Sequence, residues 1–410
     1  METTDPHARA GPGPRALSAG RLAARVIGAG GGSSLTVSMF LGSFAWAFVF
    51  ISLPFFIREI STADAPTTLR LTGWIVGVTS LLTMLTGPAW GRLAAGDPKR
   101  YYVLIQLGQG LGFFGMAVAR SLLELFAARI VLGFMGAAST LAFVIAGRER
   151  DAREVQRHVA AIQTAMTVGQ ILGPLGGAMA AARLGFRMSF VVGGVTLLGS
   201  AAFVHWGVTA SVDPSRPVAT ARRPRFGDLA VAFSIILGSS TQMFFLPSVL
   251  PQVLAGLGAA EGSLVELSGV VVFATAIAAA LGALVTPRLS AMLPERKLTA
   301  GLLAAAAVGS VALAWPRSVW TYTVVRFVQV LCVAPIFPLV VGRIVQQAGG
   351  GTIGIVNSAR IGASFLGPIL ATSVLASGSP TTLYVILAAL GVATLPLALR
   401  RTPGTASDHG

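Results

Sequence analysis

The sequence predicts an all-α integral membrane protein: twelve transmembrane helices in two pseudo-symmetric six-helix bundles. Three observations carry this. Hydrophobic residues make up 54% of the 410 residues and charged residues only 11%, with a mean hydropathy of +0.77, a composition outside the range of soluble domains. Apolar runs of about twenty residues, long enough to cross a hydrocarbon core roughly 30 Å thick, recur along nearly the whole chain. Fragments of sequence also return at a nearly constant offset, the mark of a duplicated unit. A β-barrel is excluded, because its strands would alternate over about ten residues instead of staying apolar for about twenty.

The spans follow one another between charged residues. The first, 35–57, leaves a cytoplasmic tail, 1–34, that carries Arg9, Arg15, Arg21 and Arg25, lacks the apolar core of a signal peptide and is predicted to be disordered. It ends at Arg58 and Glu59. The second, 71–91, runs from Arg70 to Arg92, and the third, 101–119, from Arg100 to Arg120. The fourth, 122–146, is followed by Arg148, Arg150, Arg153 and Arg157, and the fifth, 159–182, stops at Arg183. The sixth, 187–208, completes a first bundle over 35–208. A polar linker, 209–228, with Pro214, Pro217 and Pro224 among its arginines, is the longest interior interruption. The second bundle, 229–399, holds spans at 229–254, 264–286, 298–316, 319–345, 354–377 and 381–399, and a short tail, 400–410, follows.

An even number of crossings puts both ends on one side. Twenty-one of the 30 basic residues fall in the tails and loops of that side and six in the opposite loops, so the positive-inside rule places both termini in the cytoplasm. The net charge of +15 therefore reflects topology and attraction to membrane lipids; no nucleic-acid partner is expected. Cys332 is the only cysteine and the four histidines are scattered, so neither a metal site nor a disulfide framework is predicted. No cofactor is expected, and no His/Asp/Glu constellation or phosphate loop points to an enzyme. Arginine outnumbers lysine 28 to two amid abundant Ala and Gly, as GC-rich genomes produce, which points to a multi-pass protein of a bacterial cytoplasmic membrane.

The repeat is visible in three places. RLAAGDPKR, Arg92 to Arg100, aligns with RLSAMLPER, Arg288 to Arg296, at offset 196; Arg129 aligns with Arg326 at 197, and Gly173-Pro174 with Gly367-Pro368 at 194. Within the fifth span, MTVGQILGPLGGA from Met166 places Gly169, Gly173, Pro174 and Gly177 in an apolar segment. In a soluble helix the proline alone would cost roughly 3 kcal/mol. In a membrane such residues let a neighbouring helix approach and leave a bendable point. They are expected to form a pivot where the halves meet, with Gly367 and Pro368 as the counterpart in the eleventh span.

These elements resemble the major facilitator superfamily. The fifth-span run is similar to the GxxxGPxxGG motif of its drug and metabolite exporters, although the pair Gly176-Gly177 comes one residue early. The segment Gly87 to Arg100 resembles the superfamily's loop signature GxLaDrxGRK at Gly91, Arg92, Leu93, Ala94, Lys99 and Arg100, with Ala95 in place of the acid and Asp97 as the nearest carboxylate. Arg129, Gly133 and Gly136 match an RxxxGxxGAA element whose arginine is linked to proton coupling in exporters. The resemblance implies a monomeric secondary transporter, exporting a drug or secondary metabolite in exchange for protons, with substrate bound midway between the halves. It assigns gating to Gly91, Arg92 and Arg100, with Asp97 the nearest carboxylate to the missing acid, and coupling to Arg129. With no central carboxylate, protons would be carried by peripheral acids such as Glu124 or Glu266, or by the substrate itself.

Candidate pathway residues are Trp46, Phe50, Gln109, Gln163, Gln242, Gln329, Asn357 and Arg360, polar or aromatic groups within the spans. Arg129, Arg326 and Arg360 are intramembrane cations, and no carboxylate lies at the centre of any span. Unpaired charge in a low dielectric is costly, which favours anionic or polar neutral substrates over cations. Uptake or facilitated transport of an organic anion therefore stays open as an alternative. A membrane sensor or scaffold is a remote one, since no soluble domain accompanies the spans.

Overall fold

A computed structural model describes residues 31–94, 96–147, 152–208, 226–348 and 353–399. The linker up to residue 225, the tail from residue 400, Ala95, Arg148 and Arg150 lie outside them, as does the first tail up to residue 30. Every regular element among the described residues is helical. Eleven described helices are long and apolar enough to cross a membrane. The ninth span, Glu295–Ala312, is shorter, opens on the charges Glu295, Arg296 and Lys297, and completes the set of twelve.

The first span is Gly31–Ile60, the second Ala65–Leu93, the third Pro98–Val118, the fifth Ala152–Leu184 and the sixth Phe186–Gly207. The eighth is Leu264–Met292, the eleventh Ile353–Ser377 and the twelfth Pro380–Leu399. Several outlast their apolar runs because polar caps continue the helix beyond the hydrocarbon. Asp64 starts the second span by accepting a hydrogen bond from the Thr67 amide at 3.3 Å, and hydrogen bonds from Thr67 hold its carboxyl below the usual carboxylate range.

Three spans expected to be continuous are broken. The seventh comprises Phe226–Phe244, a 3-10 turn at Leu246–Ser248, and Leu250–Gly256, and Pro247 and Pro251 fall at its interruptions. The tenth comprises Val319–Val333 and Ile336–Ala348, separated at Pro335. The fourth, Leu122–Phe134 and Ala138–Ala146, breaks without a proline beside Gly133 and Gly136. Its freed carbonyls find partners: Trp90 Nε1 donates to Phe134 O and Gln109 Nε2 to Met135 O, both at 2.6 Å. That is the condition for broken helix at membrane depth.

The halves pack by one plan. The first span lies against the fifth and sixth, as the seventh lies against the eleventh and twelfth, and the third against the sixth, as the ninth against the twelfth. Between the halves run two long seams, second against eleventh and fifth against eighth, which the pseudo-twofold exchanges. The fifth-span glycines do not lie on these seams, which differs from their expected role. A Cβ on Gly169 would stand 2.7 Å from the Phe40 carbonyl and one on Gly173 2.8 Å from that of Phe44, both on the first span, and Gly177 abuts Phe48 of the same helix. Gly367 likewise faces Phe244 and Phe245 of the seventh. The glycines of these motifs close each half on itself, while Pro174 and Pro368 lie on the seams. The halves meet through other glycines, Gly269 against Pro174 and Ala178, and Gly73 and Gly77 against Pro368, Thr372 and Phe365.

The helix ends define two faces, one toward which both chain ends run (the terminal face) and one opposite (the far face). At the far face a single apolar cluster joins the halves, with Phe55, Leu69 and Phe186 packed with Phe245, Leu250 and Tyr384. The ion pair of Arg58 and Glu261, at 3.1 Å, also crosses there. At the terminal face the apolar clusters are separate, one around Leu35, Tyr102 and Leu141 and the other around Ile236, Leu303 and Ile344. The protein is therefore closed at the far face and parted at the terminal face.

Candidate functional site

The parting leads to a cavity of about 410 Å³ midway along the helices. The first span contributes Ala47 and Phe50; the fifth contributes Thr167, Gln170 and Pro174; the seventh contributes Ser239, Ser240 and Phe244. Alanines at 276, 279, 280 and 283, spaced to fall on one face of the eighth helix, form a smooth wall. The tenth adds Arg326, Phe337 and Pro338, and the eleventh adds Arg360.

Most of this lining is apolar, and several of its hydroxyls already donate to their own helices. Thr167 Oγ1 donates to Gln163 O at 2.9 Å, Ser239 Oγ to Ile236 O at 3.3 Å and Thr275 Oγ1 to Val271 O at 2.8 Å. Gln170 is exposed and, with Ser240 and Arg360, supplies polar groups for a ligand. Among the described residues none that lines the cavity is acidic.

Of the candidate pathway residues, Phe50 and Arg360 line the cavity. Gln163 is exposed one helical turn beyond Thr167 toward the terminal face, and Asn357 stands half-buried one turn before Arg360. The others are braces. Trp46 Nε1 donates to Gln109 Oε1 at 3.0 Å, and Gln109 in turn holds the broken fourth span. Gln242 and Gln329 are sealed in a network in which Arg326 Nη1 donates to Gln242 O at 2.8 Å and Ser310 Oγ to Gln242 Oε1 at 3.1 Å.

Arg129 is also a brace. It is buried, and its Nε donates to Ile75 O at 3.0 Å and its Nη2 to Val76 O at 2.8 Å, tying the fourth span to the second. Glu124 is exposed at the far face, where its carboxylate caps the fourth span by accepting from the Arg120 amide at 2.7 Å. Glu266 is exposed in the first turn of the eighth span, also at the far face. Neither is among the described residues that line the cavity. In the loop signature, Asp97 caps the third span by accepting from the Arg100 amide at 3.1 Å, while Arg92 and Arg100 are exposed and Gly91 faces open space. The eighth-span wall escaped the sequence analysis; its signal was the alanine spacing, which any packing helix also shows.

The profile of the Major Facilitator Superfamily matches residues 35–317. Among curated relatives, the uncharacterized MFS-type transporter YuxJ of Bacillus subtilis (strain 168) is 25% identical over 335 residues, 78% of this chain and 84% of that protein. The multidrug resistance protein MdtG of Escherichia fergusonii is 23% identical over 375 residues, 85% of this chain and 88% of that protein. The crystal structure of the nucleoside transporter NupG superposes with a TM-score of 0.70 at 13% identity, covering 90% of this chain and all of that one, a likeness of fold alone. The chain belongs to the Major Facilitator Superfamily and is a multi-pass membrane transporter, not an enzyme.

Proposed function

We propose that the protein exports a small, largely apolar organic molecule across a bacterial cytoplasmic membrane, as a monomer and by alternating access in exchange for protons. The arginine asymmetry makes the terminal face cytoplasmic, so the cavity opens inward, ready to load from the cell interior or the inner leaflet. The observation that carries the substrate class is the lining itself. A sugar or nucleoside needs a partner for each of its hydroxyls, because a buried unpaired polar group costs about 1–3 kcal/mol. Here the threonine and serine hydroxyls mostly donate to their own helices and an alanine wall faces them. Apolar drugs or metabolites suit such a surface. The MdtG relatives and the exporter-like fifth span support the outward direction.

The test is transport into inverted membrane vesicles of a panel of apolar dyes, sugars and nucleosides, with and without an imposed pH gradient. Dye accumulation that collapses with the gradient is the expected result. Accumulation of sugars or nucleosides instead, or dye movement indifferent to the gradient, would overturn the substrate class or the coupling respectively.

A further inference from the structure

The three intramembrane arginines differ in what they touch. Arg129 and Arg326 donate to backbone carbonyls of neighbouring helices, and Arg326 also to the Gln329 side chain. Arg360, lining the cavity, has no hydrogen-bond acceptor among the described residues; its neighbours are the rings of Phe337, at 5.1 Å, and Phe244, at 5.8 Å. Aromatic rings attract the charge of a guanidinium but cannot accept its in-plane hydrogen bonds. Its planar fork of N–H groups, suited to two-point recognition of a carboxylate, therefore remains available. On the same lining Arg326 adds a second positive charge, whose Nε is buried without a partner among the described residues. Among the described residues no carboxylate lines the cavity to balance either cation.

A charge at membrane depth is retained where something pairs with it, and the space that Arg360 faces is the cavity. We propose that the substrate is an amphipathic organic anion, an apolar ring system bearing one carboxylate or sulfonate. The anionic head pairs with Arg360, and the apolar body lies against Phe50, Phe244 and the alanine wall. This rests on the cavity being the transport site, and it narrows the apolar molecule proposed above to one with a negative head. It also supplies a drive, because an inside-negative membrane potential favours outward movement of an anion.

Three probes share one body and differ in head charge: 2-naphthoate, 2-naphthalenemethanol and 2-naphthylmethylammonium. Binding of each to the purified full chain in detergent is measured by equilibrium dialysis. The wild-type protein should bind the naphthoate roughly tenfold or more tighter than the alcohol, as a charge-assisted fork requires, and the ammonium most weakly. Arg360→Gln should bring the naphthoate to within about threefold of the alcohol while the alcohol's own affinity moves less than about twofold, which reports an intact cavity. Arg360→Lys should fall between the two.

Equal binding of the three probes, preference for the ammonium, absence of naphthoate binding, or an anion preference that survives Arg360→Gln would each overturn the proposal. The wild-type comparison decides the matter even if a variant fails to insert. Equilibrium binding carries no direction, so failure of outward transport in vesicles would remove export and leave the anion preference standing. An exporter that treats the three probes alike would do the reverse.

Discussion

A guanidinium at membrane depth either braces helices or waits for a ligand, and its hydrogen-bond partners decide which. Arg129 braces, since its fork joins two successive carbonyls of the second span, at Ile75 and Val76. A lysine there would reach one carbonyl at a time. Arg129→Lys should lower the free energy of unfolding in mixed detergent by about 1–2 kcal/mol, while naphthalene probes bind as to wild type because the residue is absent from the cavity lining. If the variant instead keeps wild-type stability and loses only the response to a pH gradient, the arginine serves coupling. The repeat set Arg360 apart from Arg129, which has a counterpart in Arg326, but it could not say what each guanidinium touches. Both are single arginines in apolar runs, and the neighbouring carbonyls and rings decide which of them braces. Gln109, Gln242 and Gln329 read in the sequence as pathway residues, whereas they hydrogen-bond to other helices.

At the scale of the element, the repeated Gly-Pro pair was readable and its partner was not. Spacing announced a close helix approach in the fifth and eleventh spans; it could not say that Gly173 meets the first span and Gly367 the seventh, each within its own half. Gly173→Leu should therefore act on assembly. Its Cβ alone would stand 2.6 Å from that of Ala47, so the first half cannot close and the yield of folded protein in the membrane should drop. Gly269→Leu presses on Pro174 and Ala178 across the seam between halves. It should leave the protein inserted and folded but push the far face apart. Thiol labelling of a cysteine at Thr275 would then be faster from outside the cell than in the parent; labelling unchanged at normal abundance would show that the seam yields without opening. The helix breaks divide in the same way. Pro247 and Pro335 marked two of them, whereas the break at Met135 depends on Trp90 and Gln109 arriving from other spans to take the freed carbonyls.

The whole molecule was the most legible level, because composition, twenty-residue apolar runs and a repeat are global properties that survive local error. What the sequence could not supply was the conformational state, since that depends on which apolar ends share a cluster. The shared cluster at the far face and the divided ones at the terminal face lead to a prediction about the cycle. Alternating access requires the far face to open while the terminal face closes around the same site, so a tether across the far face should stop the cycle with the cavity still loadable. Arg58 and Glu261 mark the place, as they pair at 3.1 Å across the halves and are solvent-exposed. Arg58→Cys with Glu261→Cys, in a Cys332→Ala background and joined by a short reducible bis-methanethiosulfonate, provides that tether. Loss of the ion pair should cost little, since exposed pairs contribute about 0–1 kcal/mol. Bridged protein should bind probe from the terminal face with wild-type affinity and move none across the membrane, and reduction should restore transport. Transport at the untethered rate with the bridge intact would mean that the far face never opens, and rocking of the halves would then have to be abandoned for this protein.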